Sequence, residues 1–373
     1  MDPRNRLDRA FVPIDPTPAP TAHPLGTAEK TVMSKRPSRS SHHAMHQQTL
    51  EELEELALSF DEAVEASPDI DRFCSSTRWI LPAASALMPE REPWIFHGPS
   101  GWVAMMRGRH PEGWHYLEPF EASWGLACPL VGPDPEALAA DFVHLCHRRR
   151  LDWNVLLLMG LPEDSELFRR VSKHLHPYYD LFRGQVTTRN VASLAGGLDG
   201  FLSRRSRNFR RALRRAEQKA DDTGIEFLAC EADDADSALE LYERIVAIEQ
   251  RSWKGQGGVG IDAGAMHRFY EAMIQILAMR GELRTVIARH EDRDIAYVLG
   301  GICGTQYRGL QFSFDHEFRE YSLGNLCQYV QIIDLVEEGI ETYDLGTDMD
   351  YKRRWAELRH DTTALIVYKR SVI

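Results

Sequence analysis

Near its C-terminus the chain reads YDLGTDMDYKRRWA, residues 343–356. Tyr343 and Leu345 alternate with Asp344 as in a half-buried strand, and Gly346 breaks the pattern. Carboxylates follow at Asp348 and Asp350, then an aromatic and basic cluster of Tyr351, Lys352, Arg353, Arg354 and Trp355. Carboxylates on the approach to a lysine are the groups that can take up a proton and hold a developing negative charge. They are also the groups that build solvated surface ion pairs. Both readings stay open on this cluster alone.

A second stretch, FSFDHEFREYSLGNL (312–326), ends a strand near Asp315 and opens a helix near Ser322. The first turn of a helix has free N–H groups, so Ser322, Leu323, Gly324 and Asn325 could cradle a pyrophosphate, with Gly324 admitting the ligand close to the backbone. Plain capping by Ser322 is the alternative. His316 follows the strand end as a candidate base or a surface histidine. Trp253 and Lys254 sit where a helix runs into the loop GQGGVG (255–260). That loop follows a helix rather than a strand, which disfavours a nucleotide fingerprint and fits a mobile loop on the substrate side. Cys327 falls on the apolar face of its helix and reads as core.

These residues need elements to position them. Residues 48–195 read as mixed α/β: a helix over TLEELEELALSFDEAVEAS with Thr49 and Glu52 as a capping box, strands in GWVAMMRGRH and WHYLEPFEASWGLACPLVG, and a helix from Asp134 and Pro135. A covered apolar strand in WNVLLLMGLPE, the helix SELFRRVSKHL and the strand YDLFRGQVTTRNVASL follow. Residues 196–224 form a basic helical connector. From Arg204 to Lys219 it holds eight basic residues against the single acid Glu217. Arg207, Arg210 and Arg211 there suit a phosphate-bearing ligand, or a solvated connector. Residues 225–373 run strand, two helices, a three-stranded antiparallel meander, helix, strand.

The bulk numbers set limits. The chain has 373 residues and a net charge of −12, which suits two packed domains and argues against a dedicated DNA binder. Six scattered cysteines, with no C-x-x-C pair, call for neither a metal site nor a disulfide scaffold. No apolar run is long enough to span a membrane, and the N-terminus lacks a secretory core, so the expected location is cytoplasmic. Residues 1–47, rich in Pro, Ser, Thr and His, read as a disordered tail.

The order of elements in the second half resembles the GNAT acyltransferase fold, and more closely its CelD-like branch, related to the Fem-type peptidyl transferases and built of two GNAT-like halves. SRRSRNFRRALRRAE, QRSWKG, YSLGNL and DLGTDMDYKRRWA carry the resemblance, with WNVLLLMGLPEDSELF in the first half. It covers about residues 60–370. It implies an α+β chain of two halves, 48–195 and 225–373, each with a mixed, largely antiparallel sheet flanked by helices. It implies an N-acyltransferase that moves an acyl group from acyl-CoA, acetyl-CoA first, to a small-molecule or peptide amine. In Fem-type relatives the donor is aminoacyl-tRNA; a non-catalytic binding module is the third reading. The chain keeps only Gly324 of the glycine-rich loop of GNAT enzymes. By the resemblance, Tyr351 and Lys352 point at the reacting centre, Lys352 holds the acyl oxygen, and Asp344 or Asp348 acts as base. The donor meets Ser322–Asn325 and the basic helix, and Trp253, Lys254, Asp315 and His316 lie on the substrate side.

Overall fold

A computed structural model describes residues 45–258 and 260–370 and the backbone of residues 12 and 13. The tail expected over residues 1–47 therefore lies mostly outside the described residues. The first half opens with β1 (Val12–Pro13), β2 (His46–Gln48) and the helices α1 (Leu50–Glu55), α2 (Ala57–Ala66), α3 (Arg72–Ser75) and α4 (Thr77–Leu87). Strands β3 (Glu92–Gly98), β4 (Gly101–Arg109), β5 (His115–Pro119) and β6 (Leu130–Val131) follow, then α5 (Pro135–Arg148), β7 (Val155–Leu158), α6 (Glu166–Leu175) and β8 (Tyr179–Ser193). Helices α7 (Gly197–Ser203) and α8 (Arg207–Thr223) lead into β9 (Ile225–Cys230), α9 (Ala235–Gln250), α10 (Trp253–Gln256) and α11 (Gly264–Met279). The chain closes with β10 (Leu283–His290), β11 (Arg293–Cys303), β12 (Gln306–Phe314), α12 (Leu323–Glu337), β13 (Thr342–Thr347) and β14 (Leu358–Lys369).

Local chemistry sets the helix starts. Asp134 accepts the N–H groups of Glu136 and Ala137 at 3.0 and 3.1 Å, with Pro135 at the first position of α5. Asp234 accepts the Ser237 N–H at 2.7 Å to start α9. Thr49 and Glu52 form a reciprocal capping box. The single helix expected from Thr49 breaks instead at Leu56, whose φ of −99° and ψ of 16° leave the helical region between α1 and α2.

One sheet runs through both halves in the order β2-β3-β4-β5-β7-β14-β8-β13-β12-β11-β10-β9. Three pairings join the halves. Strand β8 lies antiparallel to β13, and the final strand β14 crosses back to lie between β7 and β8. A shared apolar core packs α4 of the first half on α11 of the second, with Trp79 against Phe269 at 5.1 Å between ring centroids. The meander β10–β11–β12 is antiparallel, with β12 followed by a parallel neighbour, β13.

Beneath this junction four charges are buried together. Asp71 comes from the first half, Arg189 from β8, Arg308 from β12 and Asp344 from β13. Arg189 donates to Asp344 and Arg308 to Asp71, and the cross pairs close the ring at 3.4 Å (Arg189 to Asp71) and 3.1 Å (Arg308 to Asp344). Burial pushes the Asp71 carboxyl up, but the two guanidiniums and the Cys74 N–H outweigh it and hold it at about 2.

Removing one member of such a ring leaves an uncompensated buried charge. Asp71→Asn should lower the unfolding free energy by about 3–5 kcal/mol. Asp350→Asn, at an exposed carboxylate, should stay within about 0.5 kcal/mol. Denaturant melts compare them, and equal effects would remove the ring from its structural role. The pKa of Asp71 is lower folded than its ordinary 3.8, so its contribution is complete above pH 3.8 and is lost as pH falls through about 2.

Candidate active site

Strands β12 and β13 pair over three positions only, Gln306 with Thr342, Tyr307 with Tyr343 and Arg308 with Asp344. Beyond the charge ring they part. A bulge opposite Leu299 and Gly300 adds Leu310 to β12. The opening between Gly309–Phe314 and Leu345–Thr347 is a cavity of about 560 Å³ that reaches across to Trp79, Trp124 and Leu126 of the first half. Tyr270, Trp253, Lys254, Arg308, Tyr351 and Lys352 are among the other residues that line it. Among the described residues, no Asp, Glu or His side chain lines it.

Lys352 is delivered by a tight turn. Gly346 has a left-handed φ of 75°, and its N–H bonds the Asp344 carboxylate at 2.7 Å. A 3₁₀ turn over Lys352–Arg354 follows, and Trp355 is buried against Phe201 and Phe209. The anchored Trp355 turns Lys352 back under the sheet, 9 % exposed, where Nζ donates to the Thr347 carbonyl at 2.9 Å. Burial lowers its pKa to about 8, with the Arg308 charge adding to the effect and Asp344 opposing it. Lys254 reaches the same cavity from α10. Its Nζ donates to Gln311 Oε1 at 3.1 Å and to the Phe312 carbonyl at 2.7 Å, and burial lowers its pKa too. Gln311 in turn donates to the Tyr270 hydroxyl at 3.0 Å.

The structure thus brings Trp253, Lys254, Tyr351 and Lys352 together. It sets the other sequence candidates elsewhere. Asp344 lies below the cavity floor with both oxygens engaged in the charge ring, the Gln306 amide and the Gly346 N–H. Asp348 accepts Arg353 at 2.6 Å and Asn190 at 2.7 Å, and these hydrogen bonds hold its carboxyl well below the usual range. Neither is a free base facing the cavity. Asp315 is buried and pairs with Arg251 and Arg293, while His316 is exposed on the turn beyond.

The start of α12 also differs from its reading as an open cradle. Ser322 takes a left-handed φ of 56° and its side chain makes no capping hydrogen bond, and Leu323 is core. A Cβ on Gly324 would lie 2.5 Å from the Phe312 ring, so the glycine makes room for that ring. Asn325 is exposed. Arg207 and Arg211 are exposed on α8 and Arg210 is half-buried, away from the cavity lining. Cys327 is buried in the core, and burial raises its thiol pKa.

Sequence reasoning passed over Arg308, Trp79, Trp124, Tyr270 and Gln311. Arg308 carried a signal, a lone cation inside an apolar strand of the meander. The two tryptophans carried none, since they come from the half that holds no catalytic motif.

The model of a family described as "Acetyltransferase (GNAT) domain" matches residues 203–353. No curated protein matches the sequence. Among solved structures, FemX superposes with a TM-score of 0.56 at 13 % identity, over 82 % of this chain and 95 % of its own. A conserved protein of unknown function from Bacteroides thetaiotaomicron VPI-5482 gives 0.54 at 12 %, over 88 % and 100 %. L-PGS from Bacillus licheniformis gives 0.50 at 10 %, over 84 % and 93 %. The parted strands, the meander before them and the domain match agree: residues 203–353 are an acetyltransferase domain of the GNAT fold, which supports an acyltransferase.

Proposed function

We propose that the chain is an N-acyltransferase that moves an acyl group from acyl-CoA, acetyl-CoA first, to an amine entering the cavity between the halves. The observation that carries this reading is the buried Lys352 ammonium at the gap between β12 and β13, with one hydrogen bond made and two N–H groups to spare. The free amine attacks the thioester carbonyl carbon and forms the C–N bond. Lys352 holds the oxyanion of the tetrahedral intermediate. Collapse breaks the C–S bond, and the thiolate takes the proton that the ammonium intermediate gives up. Among the described residues no carboxylate lines the cavity to act as base. The positive field of Lys254 and Lys352 favours the uncharged form of a bound amine, which serves the same end.

A second reading has aminoacyl-tRNA as donor. It draws on the exposed Arg207, Arg211, Arg214 and Arg215 of α8, a basic face outside the cavity, and on the room at Gly324 being taken by Phe312. Changing Arg207, Arg211 and Arg214 together to Gln separates the two. If tRNA is the donor, affinity for it falls and its salt dependence flattens; if acyl-CoA is the donor, turnover with acyl-CoA holds and no tRNA binding is there to lose.

Lys352→Met should cut turnover about 10²–10³-fold without lowering the melting temperature. The sign follows from linkage. The folded protein binds this proton less tightly than the unfolded chain, about 8 against 10.5, so the buried ammonium opposes folding below pH 8 and the penalty is released as pH rises to 10.5. Turnover that needs the ammonium should fall as pH rises through about 8, and that limb should vanish in the variant. A drop in melting temperature with unchanged turnover would assign Lys352 to structure alone.

A further inference from the structure

The cavity has an unusual charge account. The ring of Asp71, Arg189, Arg308 and Asp344 is neutral within itself, two guanidiniums against two carboxylates. That leaves Lys254 and Lys352, and among the described residues no carboxylate forms an ion pair with either. Glu249 is the acid whose charge acts on Lys254, and the charges that act on Lys352 are those of Asp344 and Asp348, both already held by arginines. Glu249 is fully buried, accepts the Tyr297 hydroxyl at 3.1 Å and is not part of the cavity wall. An ammonium has three donors. Lys254 uses two and Lys352 one. Aromatic faces line the same cavity: Trp79 and Trp124 meet edge-on at 5.3 Å, with Tyr270 beside Phe269. Buried cations without counter-ions are costly, and a ligand that brings the missing charge recovers that cost.

We infer that the acceptor amine also carries a carboxylate, which Lys254 holds, and an apolar or aromatic body that lies against Trp79, Trp124 and Tyr270. This rests on the reading that the acceptor enters this cavity. The substrate is then of amino-acid type, with the amine a short reach from its own carboxylate and so near Lys352, where the acyl carbonyl is attacked. The same two ammoniums repel a second positive charge, so polyamines and lysyl groups are poor fits. Lys254 is a binding residue here, and its loss should raise KM more than it lowers kcat.

Calorimetry on the full chain with four probes tests this: phenylacetate, its neutral isostere phenylacetamide, the cation phenethylamine, and inorganic pyrophosphate. Phenylacetate should bind about tenfold to a hundredfold more tightly than phenylacetamide, the advantage of a charge-assisted hydrogen bond, and phenethylamine should bind weakest. Lys254→Met should abolish the preference for the acid, and Lys254→Arg should keep it, with melting curves showing that both variants fold. Equal affinity for acid and amide, unchanged in Lys254→Met, overturns the inference but leaves the cavity as an acceptor site. A response of Lys254 to pyrophosphate and not to phenylacetate also overturns it, by assigning the lysine to the donor's phosphates. Binding of none of the probes at millimolar concentration overturns it as well. If Lys352→Met then leaves acyl transfer intact, the placement of the reaction in this cavity falls with it.

Discussion

The ring of Asp71, Arg189, Arg308 and Asp344 is the constraint on which the rest of the structure depends. It draws one carboxylate and one guanidinium from each half and buries all four. Buried charges are tolerated only when paired and hydrogen-bonded, so the halves can meet in few other registers. The ring sits at the last paired position of β12 and β13, Arg308 against Asp344. Above it the strands part. Asp344 also fixes the Gly346 turn through its N–H, and that turn leads to Lys352. One electrostatic cluster therefore joins the halves, ends the pairing and orients the lysine.

The cavity that results differs in kind from the ring. Its walls are largely aromatic and aliphatic and its charges are cationic, without an acid among the described residues that line it. A low-dielectric site strengthens every charge it keeps. Lys352 remains protonated at neutral pH although burial pulls its pKa to about 8. A cation poised in this way favours states in which negative charge develops nearby, as at the oxygen of a tetrahedral intermediate. The carboxylates that precede it in sequence serve to hold the turn, with Asp348 tied to Arg353 and Asn190.

Much of this was legible in the sequence, for reasons specific to each element. Asp134 with Pro135, and Thr49 with Glu52, are local signals and set helix starts within a few residues. The meander, with its short turns at Glu291 and Gly304, was visible as alternation and hairpin-length gaps. Lys352 stood out because a strand, a glycine and a tryptophan bracket it. What escaped was long-range. Strand β14 pairs in the other half, which no local pattern encodes. The ring joins positions 71, 189, 308 and 344, and each alone reads as an ordinary charge. Asp344 and Asp348 looked like bases because sequence shows a carboxylate but not the arginines that occupy it. Gly324 looked like ligand space because sequence does not show the ring of Phe312 packed upon it.

The central claim is that acyl transfer occurs at Lys352, in the gap between β12 and β13. A crystal structure with an acetyl-CoA analogue whose thioester sulfur is replaced by methylene tests it most directly, since the ketone keeps the acyl oxygen but cannot react. The account predicts that oxygen in the gap, within about 2.7–3.1 Å of Lys352 Nζ, the range for an oxyanion donor. An analogue bound elsewhere, or an acyl oxygen turned away from Lys352 toward another donor, would contradict it.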